Sequence, residues 1–253
     1  MASEPPSEPP TPGRLAARRP KATAAAAVSA LVALGLASAL ATAARAGLPV
    51  APLSKAGHLA AAPSPGPLGP EGVPIPKGKA LAEPVAVFLG ETLDGITCQS
   101  SEKLVYHIHA HLTIFIDGTA FQVPFGIGIG PPLEGVRTSA GAFVESGTCF
   151  MWLHTHVADG VIHIESPELK TYTLGQFFAV WGQKLSPTRV GSKHGKVTAF
   201  YDGKLWTGSP SAIPLTPTAQ IQLDVGSPAV APEHIKFPQG LAGGIAKPKP
   251  GSA

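Results

Sequence analysis

Six of the nine histidines in this chain lie in one central stretch, and five of them form His-x-His steps. His107, His109 and His111 make one run, and His154 and His156 make the other. Alternate residues of a β-strand project from the same face about 6.6 Å apart, so each step points two imidazoles in one direction. Paired neutral imidazoles suit Cu(II), Zn, Ni or Fe(II). The spacing therefore predicts a transition-metal site.

An Asp-Gly pair at residues 159–160 follows the second run and predicts a hairpin that adds two more ligands. If the turn has two residues, His156 pairs with His163 and His154 pairs with Glu165. All four side chains then project from one face, with Cβ atoms about 5 Å apart across the strands. A three-residue loop would shift this register. The assignment of His163 and Glu165 as ligands would then be weaker, whereas that of His154 and His156 would remain.

Strand geometry limits how many of these groups can bind one ion. His107 and His111 are about 13 Å apart along a straight strand, too far to bind one ion easily together with the residue between them. We expect His111 to be the most dispensable of its run, and we predict one copper or zinc ion that draws ligands from both runs. The candidate ligands are His107, His109, His111, His154, His156, His163 and Glu165.

The histidines also have a purely structural interpretation, as polar residues on strand faces or as core residues bonded to backbone groups. We interpret the isolated His58, His194 and His234 in this way. The clustered six differ, because their pattern occurs twice and each time opposite an apolar stripe. The His-only character of the runs favours copper, whereas Glu165 suits zinc or non-haem iron.

The elements that must position these residues are mostly strands. Residues 105–116 alternate apolar and polar side chains, as a half-buried strand does. Asp-Gly pairs at 117–118, 159–160 and 202–203 each predict a hairpin. Leu174, Phe177, Phe178 and Trp181 have helical spacing after Thr173, which can cap a helix. The expected fold is mainly β (α+β), with antiparallel hairpin-rich sheets and one amphipathic helix.

Cys98 and Cys149 are the only cysteines, and an even count outside the cytosol favours a disulfide. Such a bond would join the starts of the two histidine strands and predicts that they lie side by side. The alternative is that Cys149 is a blue-copper ligand, which requires a Met beyond the following His. Met151 precedes His154, so the disulfide is the preferred interpretation.

The N-terminal part of the chain predicts export. Residues 1–21 have the composition of a disordered cytoplasmic tail, and residues 22–44 form an uncharged apolar run long enough to cross a bilayer as a helix. Arg18, Arg19 and Lys21 precede this run and favour a single-pass protein of the cell membrane whose C-terminal domain is outside the cytoplasm. The alternative is a signal peptide cleaved near residues 41–46, which would give a secreted protein.

The remaining segments are separated by composition. Residues 45–84 are rich in Pro, Ala and Gly and are interpreted as a linker, and residues 231–253 as a second disordered tail. Residues 85–230 are then one His-rich extracytoplasmic β domain. Between residues 104 and 230 there are seven basic and eight acidic residues, so no positive surface for nucleic acid is predicted.

Three motifs carry a family resemblance: HxHxHLTIFIDG from His107, WLHTHxxxGVIHIESP from Trp152 and TLGQFF from Thr173. Over residues 104–225 they resemble an uncharacterised family of exported or membrane-anchored bacterial proteins. The segment around His154 and His156 is similar to a copper-ligand segment of multicopper oxidases and to the first cupin motif. The oxidases need more domains and more histidines than this chain has, and Asp159 stands where cupins have Glu, so neither likeness implies a catalytic role here.

These observations define three hypotheses for function. The first is a membrane-anchored extracytoplasmic protein that binds copper or zinc as a carrier, buffer or sensor. The second is a metal-dependent enzyme, redox or hydrolytic, with Glu165 as a candidate general base. The third is an interaction domain whose histidines only pack. The sequence carries no evident nucleophile triad, phosphate loop or cofactor fingerprint.

Overall fold

A computed structural model of the chain describes residues 59–243. The proposed tail 1–21, the proposed membrane helix 22–44 and the first part of the proposed linker lie outside the described residues. Within residues 59–243, no helix combines the length and the apolar character needed to span a bilayer.

The described part of the chain is mostly strand. It contains one α-helix, α1 (Leu174–Val180), and one short 3-10 helix (Pro210–Ala212). The strands are β1 (Thr92–Leu93), β2 (Ile96–Gln99), β3 (Tyr106–Ile116), β4 (Thr119–Phe121), β5 (Glu134–Thr138), β6 (Gly141–Ser146), β7 (Phe150–Met151), β8 (Leu153–His154), β9 (Val161–Ser166), β10 (Tyr172–Thr173), β11 (Leu185–Ser186), β12 (Arg189–Val190), β13 (Lys193–His194), β14 (Val197–Tyr201), β15 (Lys204–Trp206), β16 (Pro214–Leu215) and β17 (Gln220–Val225).

Seven strands form the main sheet, in the order β15-β14-β17-β3-β9-β8, with β4 paired to the far end of β3. The pairings are antiparallel except the central one, in which β17 runs parallel to β3. The expected mainly β fold with antiparallel sheets and one helix is confirmed, and the parallel pair makes the sheet mixed.

One face of this sheet packs on the hydrophobic core. Ile108, Ala110, Leu112 and Ile114 of β3 are fully buried there and face helix α1 and its neighbours. The helix forms where its apolar stripe predicts, and its aromatic residues are buried. Thr173 and Gln176 form a capping box at its start, in which each side chain accepts a hydrogen bond from the other residue's backbone amide. Core packing on this face forces the odd-numbered residues of β3, including its three histidines, to the opposite face.

The opposite face is polar, and both ends of the described chain cover it. Gln220 and Gln222 of β17 bond to backbone groups of Ile235 and Glu233. At the N-terminal end of the described chain, residues 59–84 lie against the same face of the sheet, and Val73 of this segment is completely buried. The described parts of the segments that composition assigns to a linker and a tail, residues 59–84 and 231–243, therefore contribute to the folded unit. A high Pro and Gly content disfavours regular helices and strands, but it leaves packing possible.

Two of the three expected Asp-Gly hairpins form as tight turns. Asp117 and Asp202 adopt positive φ, and each is followed by a glycine with positive φ, as a type I′ turn requires. The expected two-residue turn at 159–160 is wrong, because a six-residue loop, 155–160, joins β8 to β9. Gly160 has a different role: a Cβ on it would lie 2.4 Å from the carbonyl oxygen of Leu112.

The expected disulfide between Cys98 and Cys149 is present, and both residues are buried. It joins β2 to the residue before β7, and these two strands pair antiparallel. The expectation that the two histidine strands lie side by side is wrong. Strand β9 lies between β3 and β8, so each histidine run pairs with β9 and not with the other run.

Candidate metal centre

Three strands align their histidines in one row across the polar face. His163 of β9 pairs with His109 of β3 on one side and with His154 of β8 on the other. In the next row, Glu165 pairs with His107. The expected pairing of His156 with His163 and of His154 with Glu165 is wrong by two residues, although the same side chains still meet.

Thr155 explains the change of register. Its amide donates to the carbonyl oxygen of Ile127, and its hydroxyl donates to the carbonyl oxygen of Pro124 and accepts from the Ile127 amide. These bonds attach Thr155 to the segment 124–127, so the chain leaves the β9 ladder directly after His154. His156 returns to the cluster from the loop.

The histidine row, together with its neighbours His107, His156 and Glu165, forms two overlapping groups that can hold a metal ion. In one group the donors are His107, His109, His163 and Glu165; in the other they are His154, His156, His163 and Glu165. Within each group, the potential ligand atoms lie within 4.8 Å of one another. Apart from His107, which is half-buried, these residues are buried.

The ring nitrogens of His154 and His156 are oriented as in metal-bound histidines. Nδ1 of His154 donates to the carbonyl oxygen of Met151 at 2.9 Å, and Nδ1 of His156 donates to that of Val144. A carbonyl oxygen can only accept, so in the neutral rings the two Nε2 atoms carry lone pairs, and they face each other 3.1 Å apart. Facing lone pairs repel unless a cation lies between them. Metal-bound histidines typically donate the other ring N–H to such a carbonyl group.

The pair on β3 has a related arrangement. Nδ1 of His109 donates to the carbonyl oxygen of Leu241 at 2.9 Å, which leaves its Nε2 as a lone-pair donor. Nε2 of His107 lies 3.2 Å from that atom and 3.2 Å from Oε1 of Glu165. Both histidine pairs therefore direct Nε2 atoms toward β9.

His163 sits between two carboxylates. Its Nε2 bonds to Oε1 of Glu71 at 2.8 Å, while its Nδ1 lies 3.5 Å from Oε1 of Glu165 and has no hydrogen-bond partner. Oε2 of Glu165 is also buried without a partner. If Nε2 keeps its proton for Glu71, the Nδ1 lone pair and the free carboxylate oxygen are both available to a cation.

Burial and neighbouring charges give the side chains of the cluster different pKa values. Burial lowers the pKa of His109 to about 4 and lowers the pKa values of His154 and His156, so these rings are neutral at pH 7. Burial opposes charge on His163 too, but the carboxylates of Glu165 and Glu71 on either side of the ring outweigh this effect and raise its pKa to about 9. Burial likewise opposes the charge of Glu165, yet the neighbouring rings of His107 and His163 hold the pKa of that carboxyl well below its usual range.

His111 lies outside both groups. Its Nε2 donates to the carbonyl oxygen of Asp159 at 2.8 Å, and its Nδ1 lies 3.4 Å from the hydroxyl of Thr113. Burial lowers the pKa of His111 to about 4. Its partners are structural, which agrees with its ranking as the most dispensable of its run.

A cavity of about 470 Å³ lies over the cluster. Among the described residues that line it are four carboxylates and no Lys or Arg: Glu71, Glu102, Glu145 and Glu165. Sequence reasoning identified only the last of these. Oε1 of Glu102 lies 3.6 Å from Nε2 of His156, and burial together with repulsion from Glu165 raises its pKa. The lining favours entry of cations over anions.

One sequence signal could have identified Glu71. It is the only acidic residue between Glu8 and Glu83, in a segment otherwise made of small, apolar and basic residues. Glu102 has no comparable signal, because it precedes β3 in an ordinary polar loop.

Comparison of the chain with family models, curated proteins and solved structures finds no match. The site is therefore interpreted from its own geometry.

Proposed function

We propose that this protein binds a transition metal ion through its buried His/Glu cluster and serves as an extracytoplasmic carrier, buffer or sensor of copper or zinc. One observation carries the proposal. The Nε2 atoms of His154 and His156 face each other at 3.1 Å while both Nδ1–H groups are held by backbone carbonyls. Ligand atoms bound at 2.0–2.1 Å are about 3.3 Å apart in a tetrahedral site and about 2.9 Å apart in an octahedral one.

The electrostatic balance of the site supports a cation. Glu71 and Glu165 are buried side chains, and most of the surrounding imidazoles are neutral at pH 7. A buried carboxylate is costly unless a charge partner compensates for it. In the metal-free protein protonated His163 is that partner, and a bound ion would replace it.

The proposed location outside the cytoplasm rests on the uncharged run 22–44 and the basic residues before it. The Cys98–Cys149 disulfide is consistent with an oxidising compartment. Either membrane anchoring or release after signal cleavage would place the His/Glu cluster outside the cytoplasm.

The test is metal titration of the full chain purified without a His tag. Calorimetry with Cu(II) and with Zn(II) should give dissociation constants below micromolar, and His156→Ala should weaken binding at least tenfold. His194→Ala is the matched control, because His194 is exposed and lies outside both groups. Equal binding by the parent and His156→Ala, or no binding by the parent, would leave the cluster as a packed polar face.

A metal-dependent enzyme is the second candidate, and the open cavity beside the cluster favours it. Glu165 is a poor general base, because its pKa is lowered and its position suits a ligand. Glu102 is a better one, because it is partly exposed at the cavity and its pKa is raised. If the metal-loaded protein hydrolyses p-nitrophenyl acetate or bis(p-nitrophenyl) phosphate, Glu102→Gln should abolish turnover without changing metal content.

A further inference from the structure

The six donors at this site do not form one coordination sphere. They divide into two groups of four that share only His163 and Glu165. Opposite ligands of a single octahedral ion are about 4.2 Å apart, so one ion holding all six would make a single group. The strand order explains the division, because β9 lies between β3, which carries His107 and His109, and β8, which carries His154, so these two strands are two spacings apart, about 10 Å at the backbone.

Each group has its own chelating pair. The Nε2 atoms of His154 and His156 are 3.1 Å apart, and those of His107 and His109 are 3.2 Å apart. Both separations lie between the edge lengths of octahedral and tetrahedral sites, about 2.9 and 3.3 Å. Each pair is therefore spaced to bind an ion without help from the other.

The shared residues are suited to join two ions. Oε1 of Glu165 approaches His107 and His163, its Oε2 is buried without a partner, and the carboxylate belongs to both groups, so its two oxygens can bind two ions. His163 has one free ring nitrogen, Nδ1, because Glu71 holds the other. It can therefore complete one of the two coordination spheres.

Two divalent ions so close together repel, and the site carries negative charge to offset this. Glu71 and Glu165 lie within the cluster, and Glu102 and Glu145 line the cavity over it. No described lining residue is Lys or Arg.

We propose that the centre is dinuclear, with one transition metal ion at His154 and His156, a second at His107 and His109, and Glu165 bridging them. This inference rests on the proposed function, since it assigns the number and connection of the ions in the same site. It replaces the sequence-based expectation of a single ion with ligands from both runs.

The experiment is metal counting on the full chain, loaded with Zn(II), freed of excess ion and analysed by mass spectrometry of the elements. We expect two ions per chain for the parent and for His194→Ala, and one ion for each of His107→Ala and His156→Ala. His107 is the informative position, because it is half-buried and its side chain makes no hydrogen bond to the backbone, so its removal should leave the metal-free fold intact by circular dichroism.

Copper supplies a second readout. In the parent loaded with Cu(II), coupling between neighbouring ions should broaden or remove the electron paramagnetic resonance signal, and His107→Ala should restore the signal of an isolated ion. One ion in the parent would overturn the dinuclear centre and leave the proposed function standing, whereas none would overturn both. Two ions that persist in His107→Ala, or two ions without magnetic coupling, would also overturn the dinuclear centre.

Discussion

His163 and Glu71 are joined by a 2.8 Å hydrogen bond across 92 residues of sequence, and both side chains are almost fully buried. The bond attaches the Pro-rich segment before residue 85 to the middle of the histidine row. It also fixes which nitrogen of His163 is free. A residue outside the histidine motifs thereby controls a central member of the site.

Replacing that carboxylate should weaken metal binding without removing a ligand. Loss of an outer partner of a metal-bound histidine typically costs 10–100-fold in affinity. We expect Glu71→Gln to bind Zn(II) 10–100-fold more weakly in competition with a chromophoric chelator. Glu83→Gln is the matched control, because Glu83 is exposed on the same segment. Unchanged affinity in Glu71→Gln would mean that His163 is not a ligand.

Metal binding should release a proton at pH 7. The pKa of His163 is about 9 and that of His109 is about 4. At pH 7 in the metal-free protein, His163 is therefore protonated and His109 is neutral. Binding through His163 must displace its proton, so affinity should rise with pH up to about 9 and not level off near 6.5. Calorimetry at pH 7 in buffers of different ionisation enthalpy should report about one proton released per chain. No release would contradict this.

His111 should influence stability and leave metal binding unchanged. Its pKa falls from 6.5 in the unfolded chain to about 4 in the folded one. Between these values the unfolded state binds more protons, so stability is full above pH 6.5 and is lost as pH falls toward 4, by about 3 kcal/mol from this residue. His111→Gln should flatten that part of the pH–stability curve in urea unfolding. A loss of metal binding in this variant would show that His111 is a ligand.

Removing the disulfide should destabilise the fold. Cys98 and Cys149 are buried and close a loop of 51 residues, and loss of a native bond of this kind costs about 2–5 kcal/mol. The double variant Cys98→Ala/Cys149→Ala should show this loss in urea unfolding without leaving a free thiol. Two titratable thiols in the exported, denatured parent would instead mean that the bond does not form in the cell.

Residues 22–44 should keep the mature protein in the membrane. The run is uncharged and follows Arg18, Arg19 and Lys21, so we expect the full chain to resist carbonate washing. Mass analysis of the purified protein should find residues 1–21 still attached. A soluble chain beginning near Ala44 or Gly47 would identify the run as a cleaved signal.

The period of the strands made part of the site predictable. His107 and His109 had to share a face opposite Ile108, whatever the partner strand was. The disulfide and the Asp-Gly turns at 117–118 and 202–203 followed from equally local chemistry. The same rule applied to Asp94-Gly95 would have found the β1–β2 hairpin, where both residues have positive φ.

The register and the ligand partners depended on contacts far apart in sequence. The bonds of Thr155 to residues 124–127 decide where β8 ends, and no pattern near His154 announces them. The Asp-Gly signal at 159–160 misled because Gly160 is required by the close approach of Leu112. Leu241 holds His109 by its carbonyl oxygen, a contact that side-chain type cannot predict.

The parallel pair at the centre of the sheet has a consequence for how the chain acquires its shape. Strand β3 must meet β17 across more than 100 residues of sequence, as in the pairing of His111 with Gln220. Such non-local pairing requires loop closure before it yields contacts, and proteins dominated by it fold in milliseconds to seconds. During synthesis β3, β8 and β9 emerge well before β17, so the three strands that carry the histidine row can pair with one another before the parallel partner of β3 is available. The contact of His109 with Leu241 forms only after β17 has emerged.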